Sequence, residues 1–373
     1  MNRRDIVRYI ALSPLVWAMK LCGGRSKRES DPSPEPPNLT PNPNSGPTAT
    51  HSSTTTATAT ALGTPPSTPT PGPEHDVLWG AWVPGVPWDM SQQDAFESRV
   101  GKRVGIIHFG QGWQWDRVYQ PFYPGDYQRI MDRGAVPLLD WGPWDLSARR
   151  SVNQPSFALA RIIDGDHDTY IRDWATAVMA WGQPLWVRFA WKMNSLWFPW
   201  CEGVNDNQPG DYIRAWQHVV DIFRDVGATN VAWVWCPNAV YLGATPLASL
   251  FPGETYVDWI GYDAYNWGTT YGAEWTSVAA TLDPTYALMR QVSASKPIML
   301  GEIACSENGG SKAAWISDLF AALPRDYPEI TALVWFNWNA GNADLDWPIE
   351  SSVAATAAFA AGINASRYRA GGD

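Results

Sequence analysis

Cysteine is scarce in this sequence, and motifs for metal or nucleotide binding are lacking. The four cysteines form neither a Cys-x-x-Cys pair nor a Cys/His cluster, which argues against a structural zinc site. No Gly-x-Gly-x-x-Gly fingerprint or Walker loop occurs, so nucleotide binding is unsupported. We therefore expect neither a metal nor a cofactor. Cys201, Cys236 and Cys305 fall at or just after predicted strand ends, and one disulfide among them would suit an exported protein.

Basic residues are also in deficit. Lys and Arg total 27 against 37 Asp and Glu, which gives a formal net charge of −10 and a pI of about 5.0. A phosphate-binding surface needs an excess of Lys and Arg, so we do not expect binding to nucleic acid. A neutral ligand such as a polysaccharide is compatible with this charge.

The N-terminal part of the chain lacks the composition of a folded domain. Residues 1–22 combine Arg3-Arg4 with a short apolar stretch, a pattern typical of a twin-arginine export signal. Cys22 is a candidate lipidation site for membrane attachment, and the alternative is an incidental cysteine in an exported, extracellular or cell-surface protein. Residues 23–75 are rich in Pro, Thr and Ser. We expect a disordered linker, because such a segment buries too little apolar surface to fold.

Apolar runs and helical patterns alternate over residues 76–366. Eight apolar runs are predicted as strands, at 77–83, 103–109, 135–141, 185–191, 230–236, 256–262, 297–303 and 331–336. Helices are predicted between them, including 168–181, a helix capped by Asp211, 311–323 and 351–361. Strands that alternate with helices predict a parallel sheet. Eight such units predict an α/β fold, a closed (β/α)8 TIM barrel, which we expect to be a monomer.

The stretch 184–200 contains the first candidate site residues. Trp186, Arg188, Ala190 and Lys192 share one face of the predicted strand. Charged residues on so apolar a strand are either ions satisfied by nearby carboxylates or part of a site at the carboxyl end of the barrel. We favour the site.

Glu302 is the strongest acidic candidate, since it ends the seventh predicted strand. It is either the partner of a barrel Arg or Lys, or a catalytic nucleophile. Retaining glycosidases pair a nucleophilic carboxylate with an acid/base carboxyl group about 5–5.5 Å away. The ends of strands four and seven lie across the same barrel mouth, so we expect residue 192 opposite Glu302.

Four stretches in order resemble glycoside hydrolase family 26, best known for endo-β-1,4-mannanases. Residues 191–200 resemble its acid/base motif and 296–302 its nucleophile strand, while 258–266 and 334–339 resemble its sixth and eighth strands. The resemblance implies a retaining endo-β-glycan hydrolase whose partner is a β-linked polysaccharide. Mannan is the favoured substrate, with mixed-linkage glucan or xylan as alternatives.

The resemblance also implies roles for single residues. Glu302 corresponds to the nucleophile, Tyr265 to its hydrogen-bond partner, and Arg188 and Asn194 to site-shaping polar groups. The aromatic residues expected to bind sugar are Trp113, Trp197, Trp200, Trp335 and Trp338, since flat rings after strand ends can stack on sugars.

Lys192 stands where the family has its acid/base Glu. An ammonium of ordinary pKa about 10.4 is a weak acid, and beside Glu302 we expect it to stay charged and form an ion pair. Three interpretations remain open. The protein is a weak or inactive β-glycan-binding barrel, or Lys192 is an introduced change in an active enzyme, or another acid such as Glu202 or Asp206 takes the role.

Overall fold

The computed structural model describes residues 76–339, 342 and 344–370. The predicted export signal at 1–22, Cys22 and the linker at 23–75 lie outside these residues. No helix in the described part of the chain is both long and apolar enough to cross a membrane.

The strands of the described residues form a closed parallel barrel. They are β1 (Val77–Trp82), β2 (Ile106–Trp115), β3 (Val118–Tyr119), β4 (Val136–Asp145), β5 (Leu185–Phe189), β6 (Val231–Trp235), β7 (Trp259–Asn266), β8 (Ile298–Cys305), β9 (Ile330–Phe336) and β10 (Tyr368–Arg369). The order β1-β9-β8-β7-β6-β5-β4-β2 closes on itself because β2 also pairs with β1. The short β3 adds antiparallel to β2, and β10 pairs with β1. The predicted (β/α)8 barrel is confirmed.

The helices surround the barrel. They are α1 (Ser91–Val100), α2 (Pro124–Met131), α3 (Leu159–Ile163), α4 (Asp168–Trp181), α5 (Asp211–Val226), α6 (Val278–Val292), α7 (Lys312–Asp326) and α8 (Val353–Ile363). Serine side chains cap α6, α7 and α8, because each accepts a hydrogen bond from a backbone N–H of the first turn. Asp211, predicted as a cap, is the first residue of α5 instead; Gly210 precedes it, and the Asp211 carboxylate accepts from the backbone N–H of Gln208.

Apolar side chains fill two layers because strand residues alternate between the barrel interior and the helix-covered exterior. A small interior cluster consists of Ile106, Leu138, Val234, Cys236, Met299, Ala332 and Val334. The larger outer layer is rich in aromatic rings, including Trp141 packed on Trp174 of α4 at a centroid distance of 4.7 Å. The apolar interior ends below the barrel mouth, where charged side chains take its place.

Two strand ends differ from prediction in a way that shapes the mouth. β4 runs on to Asp145 instead of ending at 141, since its pairing with β2 extends to the Gln114–Asp145 register. β5 stops at Phe189 instead of 191, because Ala190 adopts a positive φ of 46° that breaks the extended conformation.

Candidate active site

The chain turns sharply after β5 and directs residue 192 across the barrel mouth. Ala190 and Lys192 both have positive φ values, 46° and 54°, which are unfavourable for residues with a side chain. The backbone N–H of Lys192 donates to the carbonyl of Cys236 at 2.9 Å, which ties the turn to the end of β6. The Lys192 Nζ then lies 2.6 Å from Oε2 of Glu302, and the predicted ion pair between these strands is confirmed.

Glu302 projects from β8 into a cluster of donors. Its Oε2 accepts hydrogen bonds from the Lys192 ammonium and the Tyr265 hydroxyl, and its Oε1 lies 3.3 Å from Nη1 of Arg188. The predicted contacts of Glu302 with Tyr265 and Lys192 are therefore present. Only 3% of Glu302 and 3% of Lys192 are exposed, so the pair is largely shielded from water.

A deeper layer of charges supports this pair and was missed by the sequence argument. Arg188, which is fully buried, contacts the carboxylates of Asp140 and Asp263, and its Nη1 lies 3.2 Å from Nε2 of His108. Asp263 also lies 3.3 Å from the Lys192 Nζ. These residues occur at or next to the ends of predicted strands. A polar residue closing an apolar run was therefore the signal, as it was for Arg188.

The charges at the site favour an ionised pair. Burial lowers the pKa of Lys192, but Glu302 and Asp263 outweigh it and raise the pKa above the ordinary value. Burial raises the pKa of Glu302, yet Lys192 and Arg188 together hold it below its ordinary 4.5. Burial raises the pKa of Asp263 above its ordinary value. At neutral pH Lys192 is thus an ammonium and Glu302 a carboxylate.

Ligand atoms of His108, Asp140 and Glu302 lie within 4.8 Å of one another, as in some metal sites. The Arg188 guanidinium already contacts all three side chains, at 3.2 Å from His108, 3.2 Å from Asp140 and 3.3 Å from Glu302. A metal ion there would be repelled by a fully buried positive charge. The cluster therefore suits the Arg188 guanidinium and not a metal ion.

The nearby loop carboxylates do not replace the missing acid. The carboxylate of Glu202 accepts backbone hydrogen bonds from Gly210 at 2.8 Å and Tyr212 at 3.3 Å, so it holds the start of α5. Asp206 is exposed, with a positive φ of 62°. Among the described residues, neither carboxylate forms an ion pair with Lys192 or a hydrogen bond with Glu302, which weakens the interpretation that another acid takes the role.

The prediction that three of the aromatic residues bind sugar is wrong. Trp113, Trp200 and Trp335 are completely buried. Trp113 packs on Phe189, Trp335 packs on Phe359 of α8, and the Trp200 indole N–H donates to the carbonyl of Trp191 at 2.8 Å. Trp113 and Trp335 belong to the core because they occupy outward-facing positions of β2 and β9 that helices cover, and Trp200 because the loop after β5 folds over its ring.

Trp197 and Trp338 remain partly exposed. Trp197 stacks on Tyr241 at a centroid distance of 5.5 Å and an interplanar angle of 13°. Trp338 lies parallel to Trp82, with centroids 6.4 Å apart. These two predicted platforms follow β5 and β9, on opposite sides of the barrel mouth, and are available for contact with a ligand.

Asn194 and the cysteines have structural roles. Asn194 is fully buried and exchanges two hydrogen bonds of 2.9 Å with the backbone of Asn238, so it joins the loops after β5 and β6 and has no surface for substrate. Cys201, Cys236 and Cys305 are buried free thiols, so the structure contains none of the disulfides considered among them. Burial raises the pKa of each thiol, which keeps it protonated.

Comparisons with known proteins agree with this geometry. Residues 146–315, which include Lys192 and Glu302, match the family model of glycosyl hydrolase family 26. Endoglucanase H of Acetivibrio thermocellus is 34% identical over 293 residues, which cover 77% of this chain and 30% of that protein. The chain thus spans less than a third of the length of this curated relative.

Solved structures show the same fold at low identity. A family 26 β-mannanase from Bacteroides ovatus has a TM-score of 0.58 at 18% identity, covering 80% of this chain and 91% of that one. An endo-β-1,4-mannanase double mutant from Cellulomonas fimi has a TM-score of 0.60 at 16% identity, covering 79% of this chain and 72% of that one. The match of residues 146–315 to the family model and the 34% identity to endoglucanase H, together with the matched motifs, lead to one conclusion: the chain belongs to glycosyl hydrolase family 26.

Proposed function

We propose that the barrel is a retaining endo-β-glycan hydrolase whose turnover is suppressed by Lys192. The observation that carries this proposal is the 2.6 Å contact between the Lys192 Nζ and Glu302, at the place where retaining enzymes hold two carboxyl groups. Glu302 is ionised, buried and aimed by Tyr265 and Arg188, as a nucleophile requires. Lys192 occupies the position from which a proton must reach the leaving sugar.

The first half-reaction is where Lys192 limits the chemistry. Glu302 attacks the anomeric carbon, a carbon–oxygen bond to its carboxylate forms, and the glycosidic bond breaks with its electrons going to the leaving oxygen. That oxygen needs a proton, and an ammonium with a raised pKa is a poor donor. In the second half-reaction water must lose a proton, and protonated Lys192 has no lone pair to accept it. Both steps are therefore slow on a natural glycan.

A second candidate function is glycan binding without hydrolysis. The same ion pair favours it, since Lys192 occupies one oxygen of Glu302 and lowers its nucleophilicity. The partly exposed Trp197 and Trp338 still offer faces on which sugar rings stack. A barrel of this kind would retain a polysaccharide and release no reducing ends.

Mannan is the proposed main substrate, with glucan as the second choice. The mannanase structures from Bacteroides ovatus and Cellulomonas fimi support mannan through the fold alone. The match to an endoglucanase supports glucan at higher sequence identity but over a small part of that protein. Xylan is the third arm of the test, because the site geometry does not distinguish these neutral chains.

The test compares reducing-sugar release from mannan, glucan and xylan by the parent protein and by Lys192→Glu. General acid/base assistance contributes about 10²–10⁴-fold, so the variant should exceed the parent by that factor on one of the glycans. Lys296→Glu, the same charge change just before β8, is the matched control and should behave like the parent. Binding of the parent to insoluble mannan, with the parent and Lys192→Glu both inactive on all three glycans, would support the binding function instead.

We also propose export and attachment through Cys22. The paired arginines, the short apolar stretch and the position of Cys22 support this. In a host with twin-arginine export, the parent should appear in the membrane fraction and incorporate labelled fatty acid, while Cys22→Ala should be released. Equal distribution of both proteins would refute the lipid attachment.

A further inference from the structure

The Lys192 ammonium loses its main partner during the reaction proposed above. In the resting site its Nζ lies 2.6 Å from Oε2 of Glu302 and 3.3 Å from Oδ2 of Asp263. Asp263 is already paired more closely with Arg188, at 2.5 Å. Glu302 carries no charge once a sugar is bonded to its carboxylate, because an ester is neutral. Lys192 is then left with a carboxylate that it shares with Arg188.

The charge balance of the site indicates what kind of molecule can replace that partner. The buried cations and carboxylates of the resting site are Lys192, Arg188, Asp140, Asp263 and Glu302. Burial raises the pKa of Asp263 to about 7, so its partial protonation makes the site still less negative. Glycosylation of Glu302 removes one negative charge. A singly charged anion beside Lys192 restores the resting balance, whereas a water molecule does not.

The ammonium faces the barrel mouth, from which an acceptor must enter. The side chains of Arg188 and Asp263 beneath it have no exposed surface, whereas those of Lys192 and Glu302 keep 4% and 3%. In a retaining reaction the leaving group departs on the acid/base side, and the second nucleophile enters there. Residue 192 occupies that side, so the acceptor passes the ammonium at short range. Little water screens the charge there, which strengthens its attraction for an anion.

We infer that the glycosyl-enzyme formed on Glu302 transfers its sugar to a small oxyanion, phosphate or a carboxylate, faster than to water. An oxygen of the anion donates an electron pair to the anomeric carbon, the carbon–oxygen bond to Glu302 breaks, and those electrons restore the Glu302 carboxylate. No proton moves, so no base is needed. The product is a glycosyl phosphate or a glycosyl ester of retained configuration.

The inference rests on the proposed function, because it needs Glu302 as the nucleophile. It adds an acceptor class that the missing base alone does not specify. Without a base, any nucleophile that needs no deprotonation reacts more easily than water. The Lys192 ammonium goes further, since it binds the acceptor through its charge. By reversal of the same step, a glycosyl phosphate is also a donor that needs no acid.

The test uses the full chain at pH 7 with activated aryl glycosides of β-1,4-mannobiose and cellobiose as donors. Such a donor glycosylates Glu302 without acid help, so release of the sugar becomes the slow phase after a burst of phenol. Inorganic phosphate and acetate are added separately at constant ionic strength. Each should accelerate the slow phase at least about tenfold and to a limit, because the lost assistance of about 10²–10⁴-fold is no longer required. Mass spectrometry and NMR should identify a β-glycosyl phosphate in the phosphate arm.

Two variants separate the charge of Lys192 from the absence of a base. Lys192→Met and Lys192→Gln also lack a base, but they carry no ammonium. In both, the acceleration by phosphate and acetate should fall about tenfold or more and should no longer saturate. Two variants keep the comparison possible if one of them does not fold. Lys296→Met, which removes an ammonium before β8, is the matched control and should respond like the parent.

Equal acceleration in the parent and the Lys192 variants would refute the inference, because the missing base alone would then explain it. A parent burst whose slow phase neither anion accelerates would refute the oxyanion acceptor and leave the proposed function standing. The absence of a burst in the parent would refute both. Acceleration by acetate alone would support the inference, with carboxylates as the acceptors.

Discussion

Lys192 separates the two demands that a retaining glycosidase places on its site. Its contact with Glu302 keeps this carboxyl group, the proposed nucleophile, ionised, which the attack requires. The same ammonium neither donates a proton readily nor accepts one from water. A substrate that needs no protonated leaving group should therefore reveal the part of the mechanism that is still intact.

An aryl glycoside with an activated leaving group should react with the parent protein. We expect a burst of released phenol as Glu302 is glycosylated, followed by slow turnover because no base activates water. Azide needs no deprotonation and should accelerate the second step, giving a glycosyl azide of retained configuration. Stopped-flow absorbance measures both phases. Glu302→Gln is the control and should show neither burst nor azide effect; a burst in this variant would move the nucleophile elsewhere.

The rate of the burst at acidic pH should depend on Lys192. Lys192 and Arg188 hold the pKa of Glu302 below 4.5 against the effect of burial. In Lys192→Met one lowering charge is lost and burial remains, so the pKa of Glu302 should rise. The parent burst rate should stay constant as pH falls from 7 towards 4.5, whereas the variant rate should decline in that range. Identical profiles in both proteins would mean that Lys192 does not control Glu302.

The lowered pKa of Glu302 also predicts how the stability of the fold changes with pH. A carboxyl group whose pKa is lowered by folding contributes stability above its unfolded pKa, and this is lost as the pH falls through the folded value. For Glu302 that contribution is present above about pH 4.5 in the parent. It should be smaller in Lys192→Met, which urea unfolding at pH 4 and pH 7 can measure alongside the burst.

At this scale the sequence predicted the pair but not its surroundings. Lys192, Arg188 and Glu302 could be placed because strand ends of a parallel barrel share one mouth, whereas Tyr265 was placed through the resemblance of 258–266 to the family's sixth strand. His108, Asp140 and Asp263 carry the same signal of a polar residue at a strand end, but that signal does not tell whether a side chain faces the mouth or the loops. These three residues are identified only by their contacts with the buried Arg188 guanidinium, which needs several hydrogen-bond acceptors.

At the scale of elements, α7 begins with a residue that holds the wall of the site. Lys312 is fully buried, and its ammonium donates to the carbonyls of Asp346, Trp347 and Pro348 and to the hydroxyl of Ser351. The ring of Trp347 packs on Tyr265 at 4.5 Å. The start of one helix thereby fixes the loop that supports the partner of Glu302.

Lys312→Met should destabilise the fold by about 2–4 kcal/mol, because three carbonyls lose their donor while the packing volume is kept. Urea unfolding followed by tryptophan fluorescence measures this change. Lys296→Met, which removes a less buried ammonium before β8, should cost under about 0.5 kcal/mol. A Lys312→Met protein as stable as the parent would show that the loop finds other partners.

The strands and helices were largely predictable from the sequence, but the positions of their aromatic side chains were not. Short apolar runs between helical patterns predicted the barrel strands, since burial on both faces requires such runs. The runs do not reveal which side chains face the helices. Trp113 and Trp335 were therefore predicted to be sugar platforms at strand ends. Alternation along each strand instead points them outward, where the helices cover them. The break at Ala190 was also unpredictable, because positive φ at alanine has no sequence signature.

At the scale of the whole molecule, the barrel should be independent of the N-terminal segment. Residues 31–74 have no aromatic residue, no Lys and no Arg, and we expect them to contribute no core. Their deletion should shift Tm by less than about 2 °C, the change that under about 1 kcal/mol would produce. Calorimetry of the full and shortened chains measures this. A larger loss would mean that the segment packs on the barrel.

The turn after β5 has a consequence for the history of this protein. Ala190 and Lys192 keep a strained backbone whose result is to deliver residue 192 to Glu302. Codons for lysine and glutamate differ by a single transition at their first base. Under the proposed function, a single point mutation at residue 192 would therefore exchange a glycan-retaining barrel for a glycan-cleaving one, in either direction, without rebuilding the scaffold.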